Sequence, residues 1–195
     1  MIEEILKLDS KLFLYLNNLG TSKFDIFWIS LSKIEANILM YLFLILLFFY
    51  NQKIRPKLIY IFYFFFVIAL MIIITDQGAN IFKDSFQRLR PCYNESIIDS
   101  LRLVKENCGG KYGFFSAHAS NSFSLAIFFG LLFINRISYI IMITIVYASL
   151  ISYSRIYLGV HYPIDIIFGS FFGIFVGFVM YSFVYLKFLK FFDKT

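Results

Sequence analysis

Apolar residues are gathered into long runs at 34–50, 58–75, 123–134, 139–152 and 164–188. Each is near the length that a helix needs to cross hydrocarbon, roughly 20 residues. The pattern predicts an all-α integral membrane protein, a helical bundle of five transmembrane helices in a single domain over 1–195. Segment 24–31 is apolar but short, and if it spans together with the run after it, the count becomes six. Ahead of it, Ile2, Ile5, Leu6, Leu12, Phe13 and Leu16 recur at helical spacing among Lys and Asp. That spacing predicts a helix over 2–17 lying in the membrane interface, within an N-terminal interfacial region of 1–33.

Composition agrees with this reading. The chain is 60% hydrophobic and 15% charged with mean hydropathy +0.77, outside the range of ordinary soluble domains. Its 27 Phe and 14 Tyr supply lipid-facing surface and interfacial rings but carry little functional information. A net charge of +6 invites comparison with nucleic-acid binders. The Lys and Arg residues are spread through loops, however, with no basic stripe, so no nucleic-acid partner is expected. The first residues carry Glu3 and Glu4 where a signal peptide is positive, and show no small-residue cleavage site. This stretch is expected to be retained.

Lys53, Arg55 and Lys57, then Arg136, then Lys187, Lys190 and Lys194 mark one face as cytoplasmic by the positive-inside rule. Alternating crossings place the 84–118 loop and the 155–163 segment together on the opposite, periplasmic face. Arg88, Arg90, Arg102, Lys105 and Lys111 in that loop, only partly offset by Asp84, Glu95, Asp99 and Glu106, weaken the direction that the rule assigns. In either direction both segments share one face. The only cysteines, Cys92 and Cys108, lie in this loop. Paired in an oxidising compartment they would close a loop of about 17 residues and contribute roughly 3 kcal/mol; the alternative is two unpaired thiols.

Polar groups at the ends of apolar helices are costly, so their positions are informative. Three clusters fall on the shared face. Lys83 is followed by Arg90 and Pro91, with Arg88 between; these cations suit an acceptor-only anion such as phosphate, or they simply snorkel to the interface. Asp76 and Asn80 lie on the helical face of Lys83 and are expected to support it. In Phe115-Ser116-Ala117-His118, Gly109, Gly110 and Gly113 precede a helix start at which Ser116 is an N-cap candidate. Backbone N–H groups there would bind a phosphoryl oxygen, and His118 would donate a proton to a leaving oxygen. The plainer reading is a cap beside an interfacial His. In Ser154-Arg155-x5-His161-x3-Asp165, Pro163 suits a first helical turn, and Asp165 lies one turn after His161, in reach of the imidazole. Such a pair fixes the tautomer and frees the other nitrogen for attack on phosphorus; the alternative is a helix N-terminal acid with a capping His. The chain has only two His, and both fall inside these clusters.

Together, Lys83-x6-Arg90-Pro91, Ser116-Ala117-His118 and Ser154-Arg155-x5-His161-x3-Asp165 resemble, in order and spacing, the three signature motifs of the type 2 phosphatidic acid phosphatase superfamily. The resemblance runs from about residue 59 to the end of the last span. It implies a metal-independent site near the outer membrane surface, with His161 as nucleophile forming a phosphohistidine, Asp165 orienting it and His118 protonating the leaving group. It further implies that Lys83, Arg90, Ser116, Ala117 through its N–H, and Arg155 hold the phosphate. The family's usual Pro-Ser-Gly-His is replaced by Phe115-Ser116-Ala117-His118. The stretch from Arg90-Pro91-Cys92 to Cys108-Gly109-Gly110 looks like a variant of bacterial members, especially of the Bacteroidetes, which implies a bacterial inner-membrane enzyme with a periplasmic site.

The cations around both His residues and Asp165 disfavour a divalent ion, so neither metal nor cofactor is expected. The expected partners are the bilayer and a phosphorylated membrane lipid, with undecaprenyl diphosphate the first choice. Lipid A, phosphatidylglycerophosphate and a lipid phosphotransferase reaction are the alternatives. A small transporter, channel or scaffold in which polar clusters glue helices is the non-enzymatic alternative. The sequence carries no signal of oligomeric state.

Overall fold

A computed structural model describes residues 1–50, 58–105 and 107–192. Lys53, Arg55 and Lys57 of the 51–57 loop, expected from sequence to be cytoplasmic, and Glu106 and Lys194 lie outside the described residues. The described chain is helical: α1 Ile2–Asn18, α2 Asp25–Ser32, α3 Ile34–Tyr50, α4 Leu58–Phe86, α5 Ala117–Phe133, α6 Ile140–Tyr157, α7 Pro163–Val179 and α8 Leu186–Phe192. A π-helical turn, Met180–Tyr185, joins α7 to α8.

Among the described residues, three continuous helical stretches are long and apolar enough to cross a membrane: Leu58–Phe86, Ile140–Tyr157 and Pro163–Leu189. The short apolar segment 24–31 becomes α2, and Ser22–Ser32 and Asn37–Tyr50, bent by 51° from one another, make a fourth stretch of that kind if the pair is counted as one span. α5 is apolar but has 17 residues. It packs between α6 and α7, where burial in protein relieves it of matching the full bilayer thickness.

The helices outrun the apolar runs that predict them. α4 continues past residue 75 to Phe86 and so carries Asp76, Asn80 and Lys83 on regular helix. α5 begins at Ala117 rather than 123, because the Ser116 hydroxyl accepts from the Ala119 N–H (3.4 Å) and caps it. Within these extensions Lys83 pairs with Asn80 one turn earlier on α4, and Asn121 of α5 accepts from the Thr75 hydroxyl of α4.

α5 and α7 approach most closely. Gly169, Gly173 and Gly177, four residues apart on α7, lie against the backbone of Ser116, Ser120 and Ser124 on α5, so that a Cβ at any of the three would press on a carbonyl oxygen. Small residues at this spacing let two helices meet backbone to backbone, the device that substitutes for hydrophobic driving force in membranes. Away from this seam, the rings of Phe48, Phe64, Phe128, Phe129, Phe133 and Tyr185 fill one core, with Phe48 and Phe64 stacked at 5.0 Å.

α1 forms where the spacing predicts a helix, and one of its faces is turned to the bundle. It is docked on the bundle through Asp9, Phe13 and Asn17, which are buried, while Ile2, Ile5, Leu6 and Leu12 stay exposed. Asn17 explains the docking: its Nδ2 donates to the carbonyls of Arg102, Ile156 and Tyr157 (3.0 Å each), and its Oδ1 accepts from the Arg102 N–H (2.7 Å). The Ile156 carbonyl also accepts from the Gly159 N–H (3.0 Å), so Asn17 adds a second donor at the end of α6 and ties α1 to it. The 84–118 loop is closed on itself by the Cys92–Cys108 disulfide and by backbone bonds from Arg90 N to Lys111 O (3.1 Å) and from Gly113 N to Arg88 O (2.8 Å).

The α5–α7 seam yields a stability prediction. Gly173→Val should lower the thermal midpoint in detergent by the equivalent of about 3 kcal/mol, the upper end for overpacking, because the obstacle is backbone. Gly110→Ala, whose Cβ would have nothing within 4 Å, should leave the midpoint unchanged. Equal midpoints for the two variants would contradict the close approach.

Candidate active site

The ends of α4, α5 and α6, the turn before α7 and the 84–118 loop surround a cavity of about 550 Å³. Lys83, Arg90, Ala117, His118, Arg155 and His161 all line it. Three motifs separated by up to 78 residues (83 to 161) thus open on one space. The wall also includes Lys105, so among the described residues four cations face the cavity together with a single carboxylate, Asp76. Ile38, Ile72, Leu125 and Ile151 continue the wall as apolar surface.

Each of the motif cations is held by a different means. Lys83 Nζ donates to Asn80 Oδ1 (3.2 Å) one turn earlier. Arg90 donates from Nη1 to Cys108 O (2.8 Å) and from Nε to Tyr112 O (3.2 Å), so the disulfide-closed loop aims its guanidinium. The loop passes Arg90 at Gly109, which has φ +82°, a left-handed conformation natural to glycine. Arg155 is 3% exposed and donates from Nη1 to the Ser32 hydroxyl of α2. Cations gathered in a half-dry cavity repel one another, and an anion among them relieves that repulsion.

His161 is 2% exposed. Gly159, at φ +81°, ends α6 and turns the chain so that His161 and Tyr162 precede Pro163, the first residue of α7. The His161 Nδ1 stands 3.4 Å from Asp165 Oδ2, beyond the usual hydrogen-bond range of about 2.7–3.2 Å, so the pair is an electrostatic contact at this separation. Burial pushes the His161 imidazole well below its ordinary pKa, and the charges of Arg90, Arg155 and Lys83 push it the same way. The ring is therefore neutral at pH 7, the form that can act as a nucleophile.

Asp165 is fully buried. Its Oδ2 also accepts from the Tyr162 N–H (3.0 Å), and its Oδ1 accepts from Arg88 Nη1 (2.8 Å). Arg88, grouped by sequence with the phosphate-binding cations, thus serves a carboxylate instead. Its Nη2 meets Asp9 Oδ2 (2.5 Å), and its guanidinium lies 4.1 Å over the Tyr162 ring.

Ser116 occupies the N-cap position that the sequence predicts for it. It is fully buried, its hydroxyl caps α5, and it does not line the cavity; its neighbours Ala117 and His118 do. Its backbone N–H donates to Asp165 O (3.1 Å), tying the start of α5 to the start of α7. Asn80 likewise acts on Lys83 from outside the lining, whereas Asp76 is part of the wall. Among the residues that sequence reasoning missed, Lys105 sits in a segment without periodicity. Asp9 is visible in hindsight, since Asp9, Phe13 and Asn17 recur every four residues, a face that an interfacial helix has no need to make polar.

The chain resembles proteins of known kind along most of its length. It is 34% identical over 186 residues to the lipid A 4'-phosphatase of Porphyromonas gingivalis, a match covering 95% of this chain and 76% of that protein. It is 34% identical over 183 residues to the lipid A 4'-phosphatase of Bacteroides thetaiotaomicron, covering 93% and 79%. In fold it is similar to crystal structures of Aquifex aeolicus LpxE (TM-score 0.66, 24% identity, 89% of this chain and 94% of that one) and of the PAP2 type phosphatidylglycerolphosphate phosphatase of Bacillus subtilis (TM-score 0.68, 16% identity, 92% and 86%). The family model of the PAP2 superfamily matches residues 66–189, a segment that contains all three motifs. The chain belongs to the PAP2 superfamily.

Proposed function

We propose that this metal-independent lipid phosphatase removes a phosphate from the sugar headgroup of a lipid of the lipid A class, at the periplasmic surface of a bacterial inner membrane. The observation that carries the chemistry is the opening of His118, His161 and four cations onto one cavity whose wall continues as apolar surface at Ile38, Ile72, Leu125 and Ile151. That combination suits a phosphate attached to a molecule whose chains remain in the bilayer. The choice of lipid rests on the two lipid A 4'-phosphatases, each matched over more than nine tenths of this chain. It displaces undecaprenyl diphosphate, the first choice from sequence, in favour of one of the alternatives weighed beside it.

The reaction has two displacements. The neutral His161 attacks phosphorus through the nitrogen remote from Asp165, the bond from phosphorus to the sugar oxygen breaks, and His118, protonated while the phosphate's negative charge sits beside it, gives that oxygen its proton and becomes neutral. Asp165 stabilises the charge that develops on the His161 ring. Water, deprotonated by His118, then attacks the phosphohistidine, releasing inorganic phosphate and restoring both histidines. Lys83, Arg90, Arg155 and the Ala117 N–H stabilise the phosphoryl oxygens, in a step that depends chiefly on positioning and charge. The same cations leave the donor set poorly suited to a divalent ion.

Purified protein should release phosphate from lipid A faster than from phosphatidylglycerophosphate or undecaprenyl diphosphate, and excess chelator should leave the rate intact. His161→Ala should lower kcat at least about 1000-fold, since no other group replaces a nucleophile; turnover within tenfold of the unaltered protein would defeat the mechanism. Because burial and three cations depress the His161 pKa, the nucleophile stays deprotonated as pH falls through the ordinary histidine range. The acid limb of kcat/KM should therefore lie below about pH 6.5, the unperturbed value, and a limb above that value would contradict the assignment.

A further inference from the structure

We infer that Asp9, on the N-terminal helix α1, is a positioning residue for the His161–Asp165 pair, acting through Arg88. The inference rests on the proposed role of His161 and goes beyond the signature motifs, because Asp9 lies outside the residues 66–189 that match the family model. No motif points to it.

The contacts form a chain. Asp9 is 4% exposed, and both its oxygens are used. Oδ2 accepts from Arg88 Nη2 (2.5 Å), while Oδ1 accepts from the Ile164 N–H (3.0 Å). Ile164 is in the first turn of α7, where backbone N–H groups lack partners within the helix, so a carboxylate from α1 caps the helix that carries Asp165. The other Arg88 nitrogen, Nη1, reaches Asp165 Oδ1 (2.8 Å), and Tyr162 supports the guanidinium face. One guanidinium thus bridges two buried carboxylates, and Asp9 anchors it and offsets part of its charge.

Removing the charge of Asp9 acts in two ways. Arg88 loses the anchor that turns it away from the phosphate-binding cations, so Asp165 is less firmly held against His161. The surroundings of the imidazole also become more positive. The charged groups facing His161 are Asp165 on α7, Arg155 on α6, Lys83 on α4 and Arg90 in the loop, with His118 on α5; Asp9 and Arg88 act one contact further out. Loss of a negative charge disfavours the imidazolium, so the His161 pKa falls and the acid limb of activity moves to lower pH. A residue that only glued α1 to the bundle would leave that limb in place.

The test compares Asp9→Asn, Asp9→Glu and Asn17→Ala in the full chain in detergent micelles, with lipid A as substrate. Asn17 docks the same helix without touching Arg88 or Asp165, so it controls for loss of docking. With only two histidines in the chain, ¹⁵N-labelled imidazoles also allow His161 to be titrated directly. Asp9→Asn should lower kcat between about 5- and 100-fold, the scale of a small misplacement of reacting groups. KM should stay within about twofold, and both the acid limb and the His161 titration should move to lower pH. Asp9→Glu should recover part of kcat, while Asn17→Ala should lower the thermal midpoint and keep kcat within about twofold. The inference is overturned if Asp9→Asn keeps kcat within twofold, or if both variants lose activity alike with the His161 titration unmoved. If the unaltered protein hydrolyses no lipid, the proposed function fails, and the His161 titration still decides: a downward shift in Asp9→Asn sustains the link, and an unchanged midpoint sinks it.

Discussion

The close approach of α5 to α7 is the constraint on which the rest of the arrangement depends. Glycines at 169, 173 and 177 let the α7 backbone rest on the backbone of α5, and the Ser116 N–H bonds to the Asp165 carbonyl where both helices begin. Two helix starts are thereby fixed side by side, one introducing His118 and the other following His161. Side chains of any size along that seam would separate the starts, and the two histidines would no longer face a common cavity.

Around this seam the molecule solves an electrostatic problem. Among the described residues, four cations line a cavity that has one carboxylate in its wall, and the arrangement is tolerable because several of them are tethered: Lys83 by Asn80, Arg90 by loop carbonyls, Arg155 by Ser32. The tethers are neutral oxygens, which orient a cation without neutralising it. Positive charge stays available to a phosphate. The buried carboxylates Asp9 and Asp165 are spent elsewhere, on Arg88, one layer behind the histidine. Two kinds of electrostatic pairing, one left open for substrate and one closed for structure, are thus segregated within a few residues of the same loop.

The N-terminal region closes the structure from outside. Asn17 donates to carbonyls at the end of α6, Asp25 receives Arg102 at 2.6 Å, and Ser32 receives Arg155. Each contact joins the first 32 residues to the cationic end of the bundle, away from the aromatic core around Phe64 and Phe128. The apolar surface of α1 at Ile2, Ile5, Leu6 and Leu12 stays exposed, free to meet the bilayer.

By itself the sequence determined the helical membrane class, because runs of apolar residues near 20 long have few other solutions in water or lipid. It also singled out both histidines, Lys83, Arg90, Arg155 and Asp165, because ionisable groups at span ends are too costly to be incidental and their spacing is that of a known family. Only the tertiary structure decided which of the neighbouring cations turns toward the cavity. Arg88 and Arg90 are two residues apart and chemically identical, and what separates them is the presence of Asp9, 79 positions away along the chain from Arg88. The Ser116 cap, by contrast, was legible locally, because its hydroxyl is taken by the backbone of its own helix. Periodicity measures which residues share a face, while the partner of that face is set by packing between segments distant in sequence, which no local pattern encodes.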